Sequence, residues 1–283
     1  MQNKLKDVKK RIRKKLTDLT RSQKAIANYI VENPHKFALC SIRELEKELK
    51  ISKSTIVRLA QTLGYRGYYE LKAEFLESMR NNLGPIGRYK TFLSEPHEKL
   101  NFIGLIAEET INNIQKTLQL IDQAQYKKAL EILKEANHVY AIGVGISSCL
   151  AEMAAYLFNR VSINSSHLTY GALKFTEKII NLSPDDVIFA FSFPPYSRET
   201  IEAARYAKER GLKVISVTDK ATSEIVQYSD VFIQIFVESI TISNSIMSVL
   251  VLLYSLIAQL GDELKNKTLE TIKAIEHVRK EHS

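Results

Sequence analysis

Residues 41–67 read SIRELEKELKISKSTIVRLAQTLGYRG, and the parsing of that stretch decides the fold of the N-terminal third. Ser41 stands just ahead of an apolar-periodic run, with Glu44 three residues later. That is capping-box spacing, in which the hydroxyl takes the third amide and the carboxylate reaches back to the cap amide. Ile42, Leu45 and Leu49 then share one helical face. Lys50 and Ile51 make a turn, and Ser52 is the candidate N-cap of a second helix. In that helix Ile56, Leu59, Ala60 and Leu63 fall on one side at ~100° per residue. Ser54, Arg58 and Gln61 lie opposite, flanked by Lys53, Thr55 and Thr62. Small hydroxyls permit close approach, and Arg and Gln make bidentate contacts to guanine and adenine edges, so this front suits the major groove of DNA. The plainer alternative is a helical hairpin with a solvated polar face.

Charge favours the first reading. Residues 1–90 hold 21 Lys and Arg against 9 Asp and Glu, a net +12, whereas the remaining 19 against 23 give −4. One part of the chain is built to meet a polyanion and the other is not. At 283 residues the chain holds one large or two ordinary domains. Cys40 and Cys149 sit in unlike contexts without a CxxC, which indicates neither disulfides nor zinc and fits a reducing cytosol. The basic N-terminus lacks the unbroken apolar core of a signal peptide. The most apolar stretch, Ile246–Leu260, falls short of the ~18 residues of a membrane span and reads as a buried or interface helix.

Around the opening stretch the pattern is helical. Leu5, Val8, Ile12, Leu16 and Leu19 form an apolar stripe, with Lys9, Lys10, Arg11, Arg13, Lys14 and Lys15 on the other face. A further helix starts at Thr20 or Ser22 and stops before Pro34, because the residue before proline resists the helical region. After the turn Gly64–Tyr69, helix resumes over Glu70–Met79. We therefore expect an all-α domain over 1–80, a Gly- and Pro-containing linker over 81–97, and a second domain over 98–283.

The second domain opens with helices at Glu98–Asp122 and Gln125–Ala136, then alternates. Apolar runs at Val139–Gly143, Val187–Ser192, Val214–Thr218 and Val231–Phe236 read as strands, with Ser162–Ser165 a weaker fifth. Helical patterns lie between and after them, at Ser148–Arg160, Ala172–Ile180, Ser197–Arg210, Thr222–Gln227, Asn244–Leu260 and Glu263–Glu281. The expectation is an α/β domain with a five-stranded parallel sheet covered by helices on both faces.

Such a sheet binds its ligand outside the strand carboxyl ends. After the first strand comes Gly143-Val144-Gly145-Ile146-Ser147-Ser148 and a helix, so glycine amides, a helix N-terminus and two hydroxyls face an anion. Ser148 replaces the third glycine of a dinucleotide fingerprint and the next strand offers no acidic residue for a ribose, so no dinucleotide cofactor is expected. After strand Val187–Ser192 comes Phe193-Pro194-Pro195-Tyr196-Ser197-Arg198-Glu199-Thr200. Ser192 ends the strand, Ser197 is either a helix cap or a ligand contact, and Arg198 is a phosphate partner. No metal-ligand spacing, nucleophile elbow or Walker loop is present. Glu199, Glu238 and His167 are the only acid–base candidates, each more simply a capping, packing or surface residue.

These blocks resemble the RpiR-type bacterial transcriptional regulators, which join an N-terminal helix–turn–helix domain to a sugar-isomerase-like (SIS) domain. The resemblance rests on IANYIVENP (26–34), SIRELEKEL (41–49), ISKSTIVRLAQTLGYRGYYELK (51–72), AIGVGISS (141–148), FSFPPYSRET (191–200) and AKERGLKVISVTD (207–219). It implies DNA contacts at Ser52, Lys53, Ser54, Thr55, Arg58, Gln61 and Arg66. It also implies a phosphosugar effector, with Ser147, Ser148, Ser192 and Ser197 matching the family's hydroxyls, and Gly145, Arg198 and Thr200 of the same two loops complete the expected set. SIS domains commonly show S-x-S-G-x-T; here Ser192 matches the first serine and Ser197 the threonine, while Pro194 and Pro195 replace the second serine and the glycine. Proline has no amide hydrogen, so two phosphate donors are removed and Arg198 is left to compensate.

The expected function is a cytoplasmic DNA-binding regulator of sugar metabolism, a homodimer or homotetramer that binds double-stranded DNA and a phosphosugar, with no cofactor, metal or membrane partner. The alternative is a sugar-phosphate isomerase with a DNA-binding appendage, against which the two prolines weigh.

Overall fold

The computed structural model describes residues 11, 12, 14–33, 36, 37, 40–80, 84–94 and 101–281. Leu5, Val8, Lys9, Lys10 and Arg13 of the basic N-terminal stripe, and residues 81–83 and 95–97 of the expected linker, lie outside them. The chain forms two compact units, Met1–His97 and Glu98–Ser283.

In the first unit, helix α1 (Arg21–Glu32) starts from a capping box in which Thr20 and Gln23 exchange bonds. Helix α2 (Ile42–Leu49) starts from the expected Ser41–Glu44 box: the Ser41 amide donates to Glu44 Oε2 at 2.6 Å and Ser41 Oγ accepts from the Glu44 amide at 3.2 Å. Lys50 ends it in the left-handed region, φ 54°, and the chain turns directly into α3 (Lys53–Thr62). Helix α4 (Tyr68–Arg80) follows the Gly64–Gly67 turn.

Ile56, Leu59, Ala60 and Leu63 of the α3 back are buried with Leu45, Ile26, Ile30, Tyr68 and Phe75 in one core. Each fully buried aliphatic side chain there contributes roughly 1.5–3 kcal/mol. Tyr68 Oη and Lys72 Nζ both donate to the Cys40 carbonyl, at 2.9 and 2.8 Å, tying the segment before α2 to α4. Pro85–Leu93, inside the stretch expected as linker, is a further helix, α5. Gly84 caps it and Pro85 takes its first position, where a missing amide costs nothing.

The second unit begins with α6 (Phe102–Leu120) and α7 (Gln123–Glu135). Strand β1 (Val139–Ile142) leads through helix α8 (Ile146–Arg160) to β2 (Ser165–Leu168) and the short α9 (Phe175–Ile179). Then come β3 (Val187–Ser192), α10 (Arg198–Glu209), β4 (Lys213–Thr218), a 3-10 turn at Glu224–Tyr228 and β5 (Val231–Gln234). The chain closes with α11 (Met247–Glu263) and α12 (Lys265–Glu281).

All strand pairs are parallel, in the order β2-β1-β3-β4-β5. Alternation along the strands sends Val139, Ala141, Phe189, Phe191 and Val217 to a core under α7, α8 and α11. Ile142, Ile188, Ala190 and Val214 face a second core under α9, α10 and the 3-10 turn.

Two expectations move. The weak fifth strand lies at Ser165–Leu168 rather than Ser162–Ser165, because Ser162 takes φ 63° and ends α8 in a turn. The segment expected as helix at Thr222–Gln227 is only the 3-10 turn. Among the described residues, no single helix is long and apolar enough to cross a membrane.

Candidate functional site

Each unit carries one candidate site. On the first, Ser52, Lys53, Ser54, Arg58, Gln61 and Arg66 are exposed and Thr55 is half-buried. Ser54, Arg58 and Gln61 stand on the side of α3 opposite its buried Ile56, Leu59 and Ala60. Ser52 takes the cap position but makes no side-chain bond to a helix amide. Its hydroxyl instead meets Ser54 Oγ at 2.9 Å and Thr55 Oγ1 at 3.0 Å. Glu46 of α2 does the capping, accepting from the Lys53 amide at 3.2 Å while its other oxygen lies 3.6 Å from Lys53 Nζ. Arg66 reaches far into solvent, with Nε donating to Glu70 Oε1 at 3.2 Å. Tyr69, three residues on, is 76% exposed and lies outside the expected DNA-contact set.

The second site lies where strand order reverses. β1 continues to β2 on one side and β3 pairs on the other, so the loops after β1 and β3 flank the crevice of a doubly wound sheet. In the β1 loop two glycines are needed for different reasons. A Cβ on Gly143 would stand 2.4 Å from the Ser147 carbonyl oxygen. Gly145 sits at φ 65°, ψ −131° with open space before it, a conformation essentially reserved for glycine. Ser147 is buried in the first turn of α8, and Ser148 Oγ donates to the Gly145 carbonyl at 2.8 Å.

In the β3 loop, Ser197 caps α10 by position yet makes no cap hydrogen bond, and Arg198 is exposed at its first residue. Ser192 and Thr200 are 2% and 1% exposed, and neither hydroxyl has a hydrogen-bond partner within the protein. Thr218, fully buried, is in the same condition. It is the register partner of Ser192, so the two share the sheet face that α10 covers. Thr218 was missed because no loop motif surrounds it; only the β3–β4 pairing brings it beside Ser192.

The Pro194 carbonyl accepts from Asn244 Nδ2 at 2.6 Å, and Tyr196 Oη donates to Asp219 Oδ1 at 2.7 Å. Burial, then the Asp219 bond, push the Tyr196 phenol well above its ordinary value, so it remains an O–H group. The acid–base candidates come from different parts of the second unit. His167 lies on β2, Glu199 on α10, and Glu238 pairs with Lys116 of α6 at 3.9 Å.

The comparisons agree with both halves. The helix–turn–helix domain of the rpiR family matches residues 6–82, and the SIS domain matches residues 132–261. An uncharacterized HTH-type transcriptional regulator of Caldanaerobacter subterraneus subsp. tengcongensis is 30% identical over 233 residues, 82% of this chain and 80% of its own. The chain belongs to the RpiR-type helix–turn–helix transcriptional regulators.

Among solved structures, the sugar isomerase domain of an RpiR transcription factor from Sphaerobacter thermophilus aligns with TM-score 0.61 at 23% identity, covering 63% of this chain and 99% of that one. The Vibrio vulnificus NanR protein, complexed with ManNAc-6P, aligns with TM-score 0.58 at 22% identity, covering 96% and 98%. The first likeness shows the SIS fold, a five-stranded parallel sheet flanked by helices, and the second extends over the helical N-terminal region as well.

Proposed function

We propose that this RpiR-type regulator reads DNA with the α3 front and binds a phosphosugar in the crevice between β1 and β3, which changes its affinity for an operator. The observation that carries the effector half is the set of buried hydroxyls, Ser192, Thr200 and Thr218, that the protein leaves without partners. A buried hydroxyl without a partner costs about 1–3 kcal/mol, a cost that a phosphate or sugar hydroxyl would remove. Thr200 is in the first turn of α10, whose cap hydroxyl is unused, Ser192 and Thr218 end the paired strands β3 and β4, and the first turn of α8 adds a second positive helix end. Gly145, Ser147, Ser148, Ser192, Ser197, Arg198 and Thr200 form the effector set in this reading, with Arg198 replacing the amides lost to Pro194 and Pro195. ManNAc-6P, the ligand of the related NanR structure, belongs to the same chemical class.

In this reading the SIS unit is a sensor and not an isomerase, because Pro194 and Pro195 stand where SIS domains commonly carry serine and glycine, and the relatives are named transcriptional regulators. We further propose that two or four copies assemble. Helix α6 turns Glu109, Asn113 and Thr117 inward to the backbone of 236–240, and leaves Ile103, Ile111 and Leu118 exposed. An outward apolar stripe on such a helix suits a two-fold contact, which would supply the symmetry of a palindromic operator. Acting on the chromosome places the protein in the cytoplasm.

The test is a thermal-shift panel of phosphosugars on wild type and Ser192→Ala. A shift in wild type that Ser192→Ala abolishes is the expected result. No shift by any phosphosugar ends the effector assignment.

A further inference from the structure

We infer that Glu46 is a built-in competitor for backbone phosphate, holding Lys53 of the reading helix in the free protein and setting how tightly that helix engages any duplex. The inference rests on the reading of α3 as the DNA-contacting helix. Its observation is independent of that reading: one carboxylate from α2 occupies both donors of the first residue of α3. Glu46 Oε1 takes the Lys53 amide at 3.2 Å, and Oε2 faces the Lys53 ammonium at 3.6 Å.

The local sequence had a simpler way to cap this helix. Ser52 stands at the cap position in extended conformation, φ −61° and ψ 149°, the usual backbone for a capping serine. Its hydroxyl is turned instead to Ser54 and Thr55. The carboxylate therefore sits where the positive end of the helix and a lysine converge, which is also where a phosphate would be attracted.

The pair is suited to exchange. The Lys53 and Glu46 side chains are 47% and 37% exposed, so their mutual attraction is screened and weak. A phosphate meeting Lys53 must displace Glu46 and then tolerate its negative charge nearby. Both effects lower affinity for DNA of every sequence, since phosphate contacts carry no base information. Arg58 and Gln61, without such a carboxylate, keep their ends for base edges.

A double-mutant cycle tests this, with fluorescence anisotropy of the full chain on a labelled mixed-sequence duplex over a salt series. Glu46→Gln keeps a neutral acceptor for the Lys53 amide, so folding is preserved and the melting temperature is its control. It should tighten binding by roughly 3–10-fold and steepen the salt dependence by about one unit of log–log slope, as expected for one more phosphate neutralised. Lys53→Ala alone should lower the slope by well under one unit, because Glu46 leaves only part of that phosphate contact to be lost.

The decisive arm is Glu46→Gln in the Lys53→Ala background. Under the inference the gain and the added slope disappear there; a general loss of negative charge would give the same gain in both backgrounds, and that additivity overturns the inference. If Glu46→Gln leaves affinity and slope unchanged, the inference also fails. Failure of the underlying reading looks different: Arg58→Ala then leaves binding intact, or the wild-type protein does not bind duplex at all, and either removes α3 as the reader and the inference with it.

Discussion

The two sites are opposites in how they treat their polar groups. On α3 the functional front is exposed, and several of its groups already have partners within the protein: the Ser52–Ser54–Thr55 hydroxyls with one another, Lys53 with Glu46, Arg66 with Glu70. At the carboxyl ends of β3 and β4 and the first turn of α10, the hydroxyls of Ser192, Thr218 and Thr200 are buried and have none. A surface for a large polyanion can afford to rest in water with exchangeable contacts. A pocket for a small ligand must be built dry and incomplete in advance. The difference predicts opposite responses to mutation: changes on α3 should move binding without moving stability, while changes in the crevice should move both.

The largest expected break is Gly143→Ala. The new Cβ would meet backbone at 2.4 Å, which no side-chain rotation can relieve. We expect a loss of about 2–3 kcal/mol from the second unit, together with the loss of any phosphosugar shift. Denaturant melts with and without ligand would measure both, and a variant as stable as wild type would show that the loop does not need its close turn.

Arg58→Ala comes next. It should weaken operator binding by ~1–3 kcal/mol and leave the melting temperature unchanged, because the side chain is exposed. A drop in melting temperature equal to the loss of binding would merge the two classes and break the comparison.

Thr218→Val is smaller and has the opposite sign for stability. Valine keeps the shape of threonine and removes a buried hydroxyl that has no partner. The ligand-free protein should therefore gain up to ~1 kcal/mol while losing its thermal response to phosphosugars. A destabilised variant would mean that the hydroxyl is satisfied in solution and the crevice is not preorganised for a ligand.

Much of this contrast could be read from the chain. The Ser41–Glu44 box, the buried back of α3 and strand Val187–Ser192 follow from local spacing, and the structure has them where the spacing put them. What escaped was set by distant parts of the chain. Ser52 holds the cap position, but its hydroxyl turns to Ser54 and Thr55 while a carboxylate from another helix takes the Lys53 amide. Thr218 looked like an ordinary strand end until parallel pairing set it beside Ser192. Strand β2 is polar, SSHL, and half-exposed, so alternation could not fix its place to better than three residues. Gly84-Pro85 lies in the stretch expected as linker, yet the same pair starts a helix when the proline falls at its first position.

The smallest prediction compares ion pairs. In the first unit they lie in solvent, as with Arg66–Glu70, whose arginine side chain is 92% exposed, and they should hardly affect stability. In the second unit Asp230 is only 13% exposed. Burial pushes its carboxyl up, but Lys208 Nζ at 2.6 Å, the Val214 amide at 2.9 Å and Lys213 outweigh burial and hold it below the ordinary aspartate value. A carboxyl depressed in the folded state stabilises above its unfolded pKa, about 3.9, and that stability is lost as pH falls through the lower folded value. Asp230→Asn should thus cost about 1 kcal/mol near neutrality, and its stability curve should converge on the wild-type curve as the pH falls below about 4. Glu70→Gln, run beside it over the same range, should stay within about 0.5 kcal/mol of wild type throughout, because an exposed pair has water as an equal alternative. A Glu70→Gln loss as large as that of Asp230→Asn would mean that the exposed pairs of the first unit are structural, and that this unit is less tolerant of surface change than its solvent-facing contacts imply.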